Sequence, residues 1–138
     1  MAGKIEYGAL VTQLQNLVSN KYNGSSLRAF QSNHAFNPAD TAATYLAIEC
    51  TFTGYASITL NAWGSAYLNS ANKAECDETV RSWIAGGAGL PQTVYGIFVL
   101  DASGNLLYSE LFSGGGVSLV ASGDQCNYQP RLTLESKF

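Results

Sequence analysis

Side chains able to do acid–base or nucleophilic work are sparse in this sequence, so their spacing decides how they read. His34 is the only histidine, and a Ser–His or Cys–His pair would have to be centred on it. It stands between Asn33 and Ala35 in a turn-rich stretch and belongs to no nucleophile signature. It therefore reads as a surface or hydrogen-bonded loop histidine. Glu75, Asp77 and Glu78 are neighbours in the chain. Read on a strand with Asp77 facing away from the other two, they do not make the facing carboxylates that glycoside hydrolysis needs. The same group, or Asp101 with Asn105, carries oxygen ligands for a weak calcium site; the plainer reading is a solvated loop edge. The expectation is a protein with no catalytic residues, no cofactor and no metal.

Cys50, Cys76 and Cys126 are an odd number, far apart, and form no C-x-x-C pair. They read as small buried apolar residues, reduced or irrelevant to folding. The glycine runs at 86–89 and 114–116 lack the Lys-Ser/Thr of a phosphate loop and read as sharp turns. Tyr22, Trp63 and Tyr67 lie in loop-like stretches. As exposed rings they would stack on the apolar face of a sugar; as core residues they would simply pack.

The elements that must position these residues are mostly short strands. One domain over 1–138 is the natural reading of the length, and 46% hydrophobic residues are enough to close a core. Only 12% are charged, about half the ~25% usual for a soluble domain. The surface must then be largely Ser, Thr, Asn, Gln and Gly. A net charge of -3, with seven Lys and Arg spread along the chain, argues against nucleic acid as a partner. No apolar run approaches a membrane span, and the polar-interrupted N-terminus is not a secretory segment. Synthesis in a cytoplasm without export is expected.

Leu10, Leu14, Leu17 and Val18 recur at i, i+4, i+7 and i+8, marking an amphipathic helix over residues 5–18. Either this helix folds onto its own domain or Leu10, Leu14 and Leu17 dock on a partner subunit. Further on, residues 27–31 read as a strand, 32–41 as a long turn, and Asp40 or Thr41 as the cap of a short helix. Period-two patterning then gives strands over 55–60, 75–83, 117–120 and 126–135, with a loop over 63–74. The centre of the chain is residues 92–112, QTVYGIFVLDASGNLLYSELF. Val94, Gly96, Phe98 and Leu100 alternate with Thr93, Tyr95, Ile97 and Val99, so both faces of this strand should be covered. The turn formers at 101–105 make it the first arm of a hairpin. The pattern predicts a mainly β protein: an antiparallel β-sandwich, with a jelly roll as one form, plus one N-terminal amphipathic helix. Phe98, Ile97, Val99, Leu107, Ile58, Leu132 and Trp83 are the expected core.

The order of TFTGYA at 51–56, the 92–112 stretch, Gly123-Asp124 and PRLTLES at 130–136 resembles a group of small structural proteins of tailed bacteriophages. The resemblance runs from Leu27 onward and rests on strand and turn positions; His34 and the cysteines are not part of it. It implies a virion component present in many copies, a homo-oligomer packed against other capsid or tail proteins. Within that class the expected role is a head-decoration (cement) protein. The alternative is a tail-associated receptor- or glycan-binding module using Tyr22, Trp63 and Tyr67.

Overall fold

The computed structural model describes residues 6–135; Ile5, where the helix was expected to begin, and Ser136 lie outside them. Strand outweighs helix, 35% to 18%, and each described strand pair is antiparallel. In chain order the elements are α1 (Tyr7–Leu17), which runs on into a π-helical turn at Val18–Tyr22, then β1 (Ser25–Phe30) and α2 (Ala42–Leu46). There follow β2 (Ile58–Leu60), β3 (Tyr67–Leu68), β4 (Ala74–Asp77), β5 (Arg81–Ile84), β6 (Gln92–Val94) and β7 (Gly96–Leu100). The chain continues through β8 (Leu106–Leu111), β9 (Val117–Leu119), β10 (Gln125–Tyr128) and β11 (Arg131–Leu134). These elements fall into two compact units, one from described residues 6–24, 60–80 and 129–135, the other from residues 25–59 and 81–128.

In the first unit, α1 lies on a three-stranded sheet of order β11–β4–β3. The apolar stripe of the helix explains why. Leu10 and Leu14 are 0% and 1% exposed and pack with Val18, Ala74 and Cys76. They serve the unit's own core rather than a partner surface, and of the three leucines only Leu17 stays exposed. Gln15, off the stripe, fastens the helix to the following loop by accepting the Ala66 N–H at 2.8 Å.

In the second unit the main sheet has the order β2–β1–β7–β8. All five residues of β7 are buried, as expected for a strand covered on both faces. Phe98 and Leu100 pack with Phe30 and Tyr45 on one face; Ile97 and Val99, paired with Ala29 and Leu27, are buried on the other. Gly96 stands opposite Phe30 and Leu111. A Cβ there would overlap the Glu110 carbonyl oxygen and the Phe30 ring, so only glycine lets the strands approach this closely. The hairpin turns at Asp101, whose carboxylate Oδ1 accepts the Ser103 and Asn105 N–H groups at 2.9 Å. Gly104 supplies the positive φ of +85°. Two further pairs, β10–β5 and β6–β9, complete this unit.

Several expected strands are divided. The 75–83 run breaks between β4 and β5 because the buried Glu78 carboxylate takes the Thr79 N–H at 2.8 Å and the Ala62 N–H at 2.8 Å. Likewise, Pro130, which has no N–H to give a ladder, falls between β10 and β11. Tyr95 separates β6 from β7: it donates to Phe30 and accepts from Phe112, so Gln92–Val94 pairs with β9 instead of entering the hairpin. The loop expected over 63–74 contains β3, a two-residue strand too short for period two to register. Phe98, Ile97, Val99 and Trp83 are buried as expected. Leu107, Ile58 and Leu132 are only half-buried, since each lies on an edge strand.

Candidate functional site

Two groups of polar side chains have geometry worth weighing, one in each unit. In the first unit, β4 carries Glu75 and Asp77. Separated by two residues they share a face, which corrects the expectation that Asp77 points away; Glu78, one residue on, is the buried one. The Tyr67 hydroxyl from β3 reaches both Glu75 and Asp77, and Arg131 from β11 bonds Asp77 at 2.7 Å and Glu75 at 3.3 Å. Burial is the largest influence on the Asp77 carboxyl and pushes its pKa up, but Arg131 and then Tyr67 outweigh it and hold it below the usual range. The Tyr67 hydroxyl is pushed well up, first by Glu75 and then by Asp77. The two carboxylates are thus occupied by the sheet's own tyrosine and arginine.

The aromatic candidates of this unit do not form a stacking platform. Trp63 is half-buried against the α1 core, meets Tyr22 edge-on at 76° and 6.1 Å, and donates its indole N–H to the Tyr22 carbonyl at 3.3 Å. Tyr67 is exposed on β3, with its hydroxyl tied as above.

The second unit holds the only histidine in a better-built setting. Thr41 caps α2, as one of the two expected alternatives: its N–H donates to the Thr44 hydroxyl at 3.1 Å, the return half of a capping box. Just ahead of this cap the 34–41 loop is folded round Asp40. One carboxylate oxygen, Oδ2, accepts from His34 Nε2 at 2.8 Å, from the Asn37 N–H at 2.9 Å and from the Tyr45 hydroxyl at 3.2 Å. Tyr45, fully buried, stacks on Phe98 at 5.4 Å and holds His34 edge-on at 5.3 Å. Its hydroxyl also meets Ser109 Oγ of β8 at 2.7 Å. The Asn37 N–H, and after it His34 and Tyr45, hold the Asp40 carboxyl below its usual range against partial desolvation.

This makes a chain His34–Asp40–Tyr45–Ser109, fixed in the core through Tyr45. Its order differs from a nucleophilic triad, in which the histidine stands between the serine and the acid; here the acid stands between histidine and tyrosine. A cleft of about 360 Å³ opens beside it, lined by Phe36, Asp40, Leu106, Leu107, Tyr108 and Ser109. A second, of about 440 Å³, adjoins it at Asp40 and Leu106 and runs along Thr41–Ala43. Sequence reasoning passed over this site because its members come from a loop, a helix and a strand; the capping signal at Asp40–Thr41 was its one visible trace.

Asp101 is occupied by its own turn, and no metal-binding group of His, Cys, Asp and Glu occurs among the described residues. The thiols of Cys50, Cys76 and Cys126 are buried and unbridged. Burial pushes Cys50 up to about 12 and Cys126 up to about 11. No described helix is long and apolar enough to cross a membrane. Comparisons with protein-family models, curated proteins and solved structures gave no match.

Proposed function

We propose that this protein is a structural component of a tailed-phage virion, a head-decoration protein that packs against the capsid shell and against copies of itself. The observation that carries this reading is the outward face of the β10–β5 pair. Ser82, Ile84, Gln125 and Asn127 are all exposed there, Ile84 at 54%, and none is charged. The Ser82 hydroxyl and Asn127 side chain bond across the pair at 2.6 Å, which keeps the face ordered. In the same unit Val120 is 63% exposed. A neutral, partly apolar sheet face costs little desolvation to cover. The low overall charge keeps repulsion between crowded copies small. The resemblance of the strand and turn order to small phage structural proteins supports the same reading.

The experiment is co-sedimentation of the purified chain with capsid shells of the encoding phage stripped of it. The reading expects binding by the parent chain and its loss in a folded Ile84→Lys, Val120→Lys double variant. Binding to tails or to host cells in place of shells would overturn it.

A further inference from the structure

The two clefts that adjoin at Asp40 share a chemistry that the structural role leaves unused. Tyr45 has one hydroxyl proton, and it goes to the Asp40 carboxylate. The 2.7 Å contact between Tyr45 and Ser109 must therefore use the serine proton, which leaves Ser109 only lone pairs to offer. Each of the three hydrogen bonds to Asp40 ends on Oδ2, so Oδ1 is the oxygen left over, and the Asp40 side chain is itself only 7% exposed. The site thus presents acceptors, and a ligand must bring donors. Beside them Phe36, 61% exposed, lines the first cleft with Leu106 and Leu107.

We propose that this groove binds a neutral carbohydrate, with one sugar ring laid on Phe36 and its hydroxyls donating to Asp40 Oδ1 and Ser109. An exposed aromatic face beside fixed acceptors fits the apolar face and hydroxyl rim of a pyranose. A compact ammonium ligand would also donate, but Asp40 already faces three donors, which offset much of its charge. The continuation into a second cleft also suits an extended ligand of two or more rings rather than a point cation. Asp40 is held in place by the His34 and Tyr45 contacts, so its acceptor geometry is set before a ligand arrives. This inference stands whether or not the chain decorates a capsid.

The test is a titration of the ¹⁵N-labelled full chain with methyl glycosides of glucose, galactose and mannose, with lactose and cellobiose, and with tetramethylammonium as the cationic probe. The proposal expects saturable amide shifts confined to residues 36–43 and 105–109, with a disaccharide binding more tightly than a monosaccharide. Phe36→Ala, at an exposed ring, leaves the fold intact and should weaken binding about tenfold; Asp40→Asn should weaken it as well. Absence of saturable shifts with any sugar, shifts centred on Tyr22 and Trp63, or unchanged affinity in Phe36→Ala would overturn the proposal. So would a response to tetramethylammonium without one to sugars.

Discussion

The Tyr67–Glu75–Asp77–Arg131 group and the His34–Asp40–Tyr45–Ser109 group are built from similar side chains and differ in what holds them. The first lies on the outer face of a three-stranded sheet; its tyrosine is 42% exposed and its arginine side chain 52% exposed. Its carboxylates are largely covered, at 12% for Glu75 and 24% for Asp77, but the tyrosine and arginine that answer them stand in solvent, which screens the network. The second hangs on Tyr45, which is 0% exposed, stacked on Phe98 and packed at a tilt against Phe30. The rigid ring fixes the hydroxyl, the hydroxyl helps fix Asp40, and the acceptor positions are set by the core. A similar pairing of tyrosine with carboxylate is an ion network with exposed partners in one unit and a set of acceptors held by the core in the other. Burial of one member makes the difference.

The largest expected effect comes from removing the support under the second group. Phe98→Ala should cost about 3–5 kcal/mol in urea unfolding, as for other buried aromatics, and should loosen Tyr45 with it. A cost below about 1 kcal/mol would mean the stack does not anchor the group. Next, Tyr45→Phe keeps the ring and deletes the hydroxyl between Asp40 and Ser109. It should cost about 1–2 kcal/mol, and NMR should show the 34–41 loop loosened. The acid limb of stability then separates the carboxylates. Asp40 titrates below its usual range in the folded chain, so its contribution is complete above the ordinary carboxylate pKa and is lost as pH falls through the lowered value. Asp40→Asn should flatten the midpoint–pH curve on the acid side; an unchanged curve would contradict the assigned hydrogen bonds. The smallest effect belongs to the exposed network, where Tyr67→Phe should cost less than about 1 kcal/mol and less in high salt. A loss equal to that of Tyr45→Phe would erase the contrast between the two groups.

Much of the frame was legible in the residues. The alternation over 92–112 marked a strand covered on both faces, and the turn chemistry at Asp101–Asn105 marked the hairpin, because both are local signals. The leucine stripe of α1 was equally local. What escaped were effects of one residue's partners. Period two runs unbroken through Glu78, yet its buried carboxylate takes two backbone N–H groups and ends the strand. The same arithmetic, applied correctly, places Glu75 and Asp77 on one face, while their closure by Tyr67 and Arg131 depends on strand pairing across the chain. The Asp40 site was the least visible, since Tyr45 and Ser109 are 64 residues apart and neither has a signature of its own. Only the packing of Tyr45 against Phe98 of β7 and Ser109 of β8 gives its hydroxyl a role.

The proposed role as a decoration protein is tested most directly by counting. Quantitative mass spectrometry of purified particles of the encoding phage, with the major capsid protein as the internal standard, gives the number of copies per virion. The account predicts a stoichiometry commensurate with the head lattice, at hundreds of copies, which disappears when heads are separated from tails and only the tails are assayed. A handful of copies that stay with the tail fraction would contradict it.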